Sequence, residues 1–241
     1  MSVAAVLVAA GSGTRLGRAG PKAFVPVAGL PLVVHAARAL MAARPASGEH
    51  VAQLVVTVPV GMVDWAGELL TEQLDGVDLW VVEGGATRQA SVAAGLTVLR
   101  PEVEVVLVHD AARTFAPAQL VGRVVDAVRA GHPAVVPGLA VVDTVKRVGP
   151  PAPGGRVVLG TVPRDEIVTV QTPQGFDRAL LERAHRSGAH RAGAQASAAS
   201  DDAGLVEALG EPVWVIDGDV RAVKITTADD LALAELHQAV R

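Results

Sequence analysis

The sequence predicts an α/β protein: a mostly parallel sheet with helices on both faces and a protruding two-stranded β-arm. Three observations carry this. Short β-branched runs alternate with segments of helical period along most of the 241 residues. The first run, Val3–Val8, is unbroken "VAAVLV" and stops at a glycine-rich loop. One stretch, Ala140 to Pro163, breaks the alternation and reads as strand, turn, strand.

Strands are expected at Ala4–Val8, Gln53–Val58, Leu79–Val82, Val103–Val108, Ala134–Val136 and Val213–Ile216. Helices are expected between and after them. Pro31–Ala43 has an apolar face, and Val63–Gln73 a weaker one. Thr87–Leu99 opens with a threonine cap. Pro117–Ala130 starts with proline in a first-turn position. Asp177–Ser187 follows, and Ala228–Val240 is opened by "TTADD", which fits a capping box. The arm, an insertion at about residues 139–165, turns at "GPPAPGG" and lacks the 3.6 period of a crossover helix. Two strands alone cannot bury a face, so the arm should pack on something, such as a second subunit. The segment Ser187–Gly204 is rich in alanine, serine and glycine and reads as a loop into a short helix. The whole, residues 1–241, reads as one domain.

Composition narrows the function. Half the residues are hydrophobic, enough for a sizeable core, but aromatics are only 2 %, so valine, alanine and leucine must fill it. A net charge of −4 and the absence of tyrosine argue against a nucleic-acid partner. Cysteine is absent, which excludes disulfides, thiolate metal sites and cysteine nucleophiles. No window approaches a membrane span, and the start lacks a basic n-region, so a cytoplasmic protein is expected. Lysine occurs three times, at Lys22, Lys146 and Lys224, against eighteen arginines. Each remaining lysine then marks a place where a compact ammonium, not a planar fork, is called for.

The loop after the first strand is "AAGSGTRLGRAGPK", Ala9 to Lys22. Its glycines run G-x-G-x-x-x-G, and no acid ends the Gln53–Val58 strand, so the dinucleotide fingerprint fits poorly. The Walker spacing is absent. What the loop offers is backbone N–H groups that can approach an anion, with Arg15, Arg18 and Lys22 beside them. Phosphoryl and nucleotidyl transfer require little beyond such positioning and charge cancellation.

The loop resembles the A-A-G-x-G-x-R-(x)n-P-K signature of glycosyltransferase-A-like nucleotidyltransferases. Further blocks fall in the order of one branch: "EGGATRQASVAAGL" from Glu83, "VLVHDAARTF" from Val106, "DTVKR" from Asp143, "QTPQGF" from Gln171 and "VKITTADDLALAE" from Val223. From about residue 3 to 236 the chain is similar to the 2-C-methyl-D-erythritol 4-phosphate cytidylyltransferase family. That family couples CTP to a polyol phosphate in non-mevalonate isoprenoid synthesis. A ribitol-5-phosphate or another polyol-phosphate cytidylyltransferase is the alternative within the same Rossmann-like nucleotidyltransferase fold.

The resemblance implies roles. CTP would lie over Ala9, Ala10, Gly11 and Gly13, with Gly84, Gly85 and Ser91 at its base and ribose, and Asp110 and Ala111 nearby. Ser91 read alone is an ordinary helical serine, and Asp110 read alone could be a helix cap. Arg15 and Lys22 would be the catalytic pair, joined by Arg164 and Lys224. Asp110, Arg113, Thr144, Lys146, Arg164 and Lys224 would hold methylerythritol phosphate, the arm reaching across a homodimer. Magnesium, or another divalent cation, would be bound mainly through the CTP phosphates, with no protein metal site. Arg88 has no assigned role, and Asp201 and Asp202 are marginal. The Pro163–Arg164 step departs from the family, and the Ser187–Ser200 stretch is longer than expected.

Overall fold

The computed structural model describes residues 2–11, 13, 20–192 and 200–239. Its centre is an eight-stranded sheet. The strands in chain order begin with β1 (Ser2–Val8), a short hairpin of β2 (Pro26–Val27) and β3 (Leu30–Pro31), β4 (Val51–Val58), β5 (Leu79–Glu83) and β6 (Val103–Asp110). Then come β7 (Ala134–Ala140), the arm strands β8 (Val145–Val148) and β9 (Val158–Val162), and finally β10 (Val168–Val170), β11 (Gln174–Asp177) and β12 (Trp214–Asp217). The sheet order is β10-β7-β11-β6-β1-β4-β5, with β12 also paired to β7. Strands β6, β1, β4 and β5 run parallel. The chain steps from β1 to β4 on one side and later to β6 on the other. That reversal leaves a crevice at the carboxyl ends, where ligands of open α/β sheets bind.

Helices cover both faces: α1 (Leu32–Met41), α2 (Val63–Gln73), α3 (Arg88–Leu96), α4 (Ala118–Arg129), α5 (Arg178–Ala192), α6 (Asp202–Glu207) and α7 (Ala228–Ala239). Strand β1 shows why. Val3, Ala5 and Leu7 pack into one core cluster with residues of α1 and α4. Ala4 and Val6 point the other way, into a second cluster with α3, α5 and α6. Phe176 on β11 is fully buried in that second cluster. Burying such a side chain contributes about 1.5–3 kcal/mol.

The local cap signals match the helix starts. Thr87 caps α3 by accepting the Ala90 N–H, and Thr227 and Asp230 form the reciprocal capping pair of α7. Pro117 stands one position earlier than expected, as the N-cap of α4. Three expectations need correction. Strands β10 and β11 lie outside the expected set, and β11 runs antiparallel between β6 and β7. The segment expected to be a loop from Ser187 is helical through Ala192, because α5 docks on α6 and β6. The part at 193–199 lies outside the described residues. The reading of "VKITTADDL" that stands Lys224 at a strand end fails: Lys224 sits in a loop after the 3-10 turn Val220–Ala222, tied by the Ile225 N–H to the Ala112 carbonyl. The arm is a separate two-stranded sheet, Lys146 opposite Thr161. Among the described residues, no helix is long and apolar enough to cross a membrane.

Candidate active site

At the carboxyl ends of β1, β4, β5 and β6 lies a cleft of about 730 Å³. Ala10, Gly11, Gly13 and Lys22 form one wall; Gly84, Gly85 and Ser91 form another. Asp110 and Lys224 close the end. The glycines are required by close approach. A Cβ on Gly84 would stand 2.4 Å from Ala10 Cβ and 2.8 Å from Ser91 Oγ. Gly13 has φ +68°, and a Cβ there would fall 2.3 Å from Lys22 Cβ. So the small residues let the loop after β5 meet the loop after β1 at Gly84 and Ala10.

Several residues missed by sequence reading also line the cleft: Pro59 and Val60 beyond β4, Ala86 and Thr87, and Arg88 and Thr226. The segment "TVPVG" at the end of β4 holds no acid and no basic residue, so nothing in it signals a wall of the site.

Ala9 and Ala111 are buried behind the cleft rather than on it. Each donates its N–H across the sheet end, Ala9 to the Thr57 carbonyl and Ala111 to the Val8 carbonyl. Ser91 is buried; its Oγ accepts the Gly85 N–H at 3.1 Å and donates to the Thr87 carbonyl at 2.9 Å. Its hydroxyl therefore shapes the Gly84–Gly85 loop. Arg15 lies outside the described residues.

Asp110 is the last residue of β6, as its candidate role required. Its Oδ1 accepts from Arg88 Nε at 3.0 Å and its Oδ2 from Lys224 Nζ at 2.7 Å. Burial alone would raise this carboxyl, but Arg88 and Lys224 outweigh it and hold the group well below the usual carboxylate range. Burial works against the Arg88 charge too, yet Asp202 and Asp110 prevail and hold the guanidinium above its ordinary range. The Asp110 amide donates to Thr172 Oγ1, and that hydroxyl pairs with Nδ1 of the buried His109 at 2.9 Å.

The structure does not bring the remaining candidates to the cleft within one chain. Arg113 donates to the Ala222 and Val170 carbonyls at 2.7 and 3.0 Å. Lys146 Nζ donates to Thr161 Oγ1 along the arm, and Arg164 Nη1 to the Val142 carbonyl. Thr144 lies just before β8. None of these four lines the cleft. Among the described residues, no group of three or more acids and histidines could hold a metal ion.

A glycine-lined crevice at a topological switch point, ringed by Lys22, Arg88 and Lys224 around one carboxylate, defines a nucleotide-handling α/β transferase. The comparisons sharpen this. The family model for 2-C-methyl-D-erythritol 4-phosphate cytidylyltransferase matches residues 3–239. The chain is 48 % identical over 234 residues to the Nocardia farcinica protein of that name, covering 97 % of this chain and 93 % of that one. It is 46 % identical to the Streptomyces coelicolor protein of that name, covering 99 % and 85 %. The crystal structure of the Thermus thermophilus protein of that name superposes with TM-score 0.75 at 39 % identity, covering 99 % and 100 % of the two chains. The chain belongs to the 2-C-methyl-D-erythritol 4-phosphate cytidylyltransferase family, and it is a nucleotidyltransferase.

Proposed function

We propose that the cleft binds CTP and that the chain transfers its CMP unit to the phosphate of 2-C-methyl-D-erythritol 4-phosphate, in the cytoplasm, releasing pyrophosphate. The observation that carries this is the joining of Lys22, Lys224 and Asp110 at one glycine-lined crevice. Cytosine is small, and the narrow Gly84–Gly85 and Ala10–Gly13 walls suit a pyrimidine better than a purine.

The acceptor needs no general base. A phosphate monoester has a second pKa near 6, so it is largely a dianion at pH 7. Its oxygen attacks the α-phosphorus of CTP in line. A new P–O bond forms, the bond to the bridging oxygen breaks, and pyrophosphate leaves with the electron pair. Lys22 and Lys224, with Arg15 by family likeness, stabilise the charge that builds on the pentacoordinate phosphorus. Losing one such preorganised donor costs on the order of 10²–10³ in rate.

The residues fit a divalent cation carried on the nucleotide. Asp110 is the one acid among the described lining residues, and both its oxygens are already engaged. Magnesium held by the CTP phosphates would neutralise the leaving group. Arg113, Thr144, Lys146 and Arg164 are assigned to the acceptor phosphate, with the arm of a second copy delivering those it carries. The arm's exposed Val157, Val158 and Leu159 support such a homodimer.

The test is pyrophosphate release from CTP and magnesium with methylerythritol 4-phosphate or ribitol 5-phosphate, for the wild-type chain and Lys22→Ala. Release with the first acceptor only, reduced about 10²-fold or more in the variant, is expected. Release with ribitol 5-phosphate instead would overturn the acceptor, and no release with either would overturn the reaction.

A further inference from the structure

Arg88 lines the cleft, yet two of its three nitrogens are engaged by carboxylates. Nε goes to Asp110 at 3.0 Å and Nη1 to Asp202 Oδ2 at 2.6 Å, while Nη2 is buried without a partner. A guanidinium held at both ends is a strut between two carboxylates. Asp202 stands behind the cleft and does not line it. It is fully buried, and its other oxygen takes a hydrogen bond from Nε2 of buried His185 at 2.8 Å. A carboxylate so deep persists only when paired on every side. Its neighbour Asp201 has a different role: it caps α6 through the Gly204 N–H and accepts from Gln174 Nε2. The contacts therefore run in one line, His185–Asp202–Arg88–Asp110–Lys224, from between α5 and α6 to the mouth of the cleft.

We propose that Asp202 is a positioning residue for the transfer reaction. It anchors Arg88, which turns the Asp110 carboxylate so that Oδ2 holds the Lys224 ammonium at the cleft. Without the Asp202 charge, Arg88 and Lys224 compete for Asp110 alone, and Lys224 loses its fixed place. The inference rests on the reading of the cleft as the CTP site and of Lys224 as a charge-stabilising group.

Asp202→Asn is the matched variant. The amide oxygen still accepts from Arg88, and the amide nitrogen faces His185 Nε2 and donates to it once the ring hydrogen sits on Nδ1. The charge is removed, and the other change is at the buried His185 Nδ1, which has no hydrogen-bond partner in the wild-type chain. Arg88→Lys is the second variant, since one ammonium cannot span both carboxylates. The experiment measures kcat for pyrophosphate release, CTP Kd by calorimetry and Tm, for the full wild-type chain, both variants and the double variant. A fall in kcat of about tenfold in each, a CTP Kd within about threefold of wild type in Asp202→Asn, and a double variant no worse than Arg88→Lys support the proposal. Wild-type kcat in Asp202→Asn, or losses that add in the double variant, would overturn it. So would losses of CTP affinity and Tm that accompany the loss of kcat, which mark a merely structural residue. A wild-type chain that releases no pyrophosphate overturns the CTP reading itself, a result distinct from a defect confined to the variants.

Discussion

His109 gives the sharpest quantitative expectation. It lies within β6 beside Asp110, fully buried, and its Nδ1 pairs with Thr172 Oγ1. The Thr172 hydroxyl accepts the Asp110 N–H as well, so it joins the ring to the Asp110 backbone. Burial is the largest influence on this ring and pushes its pKa down to about 4 from 6.5; the Asp110 charge opposes and the Arg113 charge assists.

The sign follows from linkage. Above the ordinary value of 6.5 both folded and unfolded rings are neutral, and the stability associated with His109 is fully present. As pH falls from there towards 4, the unfolded chain binds a proton that the folded chain refuses, and stability is lost. Between pH 7 and pH 5 this amounts to about 2 kcal/mol, and on the order of 3 kcal/mol once the folded pKa is passed. Asp110, whose carboxyl is held low, acts in a separate window: its contribution stays whole until pH falls below the ordinary carboxylate range. Urea unfolding from pH 7 to pH 5 reads the first window alone. His109→Asn places an amide where Nδ1 pairs with Thr172 and removes the titration. The variant should be less stable at pH 7, having lost ring packing, but its stability should fall by about 2 kcal/mol less than wild type on going to pH 5. Parallel curves for the two proteins would refute the assignment of that slope to His109.

Two other perturbations follow from the same geometry. Gly84→Ala would drive a Cβ into Ala10 Cβ at 2.4 Å, wedging the two walls, so CTP affinity by calorimetry should fall about tenfold or more; unchanged affinity would remove this wall from the nucleotide site. Leu159→Asp puts a charge on an arm residue that is 63 % exposed, and on the proposed homodimer it should shift sedimentation from dimer to monomer and lower turnover together; a dimer that persists would place the subunit contact elsewhere.

What could be read from the sequence was whatever is settled locally. Thr87 and the Thr227–Asp230 pair announce helix starts because a cap is satisfied within one turn. The glycine loops announce the cleft because only residues without a Cβ fit where Gly84 meets Ala10. Strand β11 carries no such mark. It is four residues long, and what makes it a strand is its place between β6 and β7, where Gly175 admits Val124 from the facing helix. Helix α5 continues past Ser187 and Gly188 despite their weak propensity, because Gly188 lies tight under Gln89 and Leu205. Arg88 is the limiting case. Its local environment is an ordinary first helical turn, yet its partners are Asp110, 22 positions on, and Asp202, 114 positions on. A bridge between two buried carboxylates exists only once β6, α3 and α6 have met. The charge that orders this site is therefore assembled by tertiary packing, while the shape of the slot is written in the loops themselves.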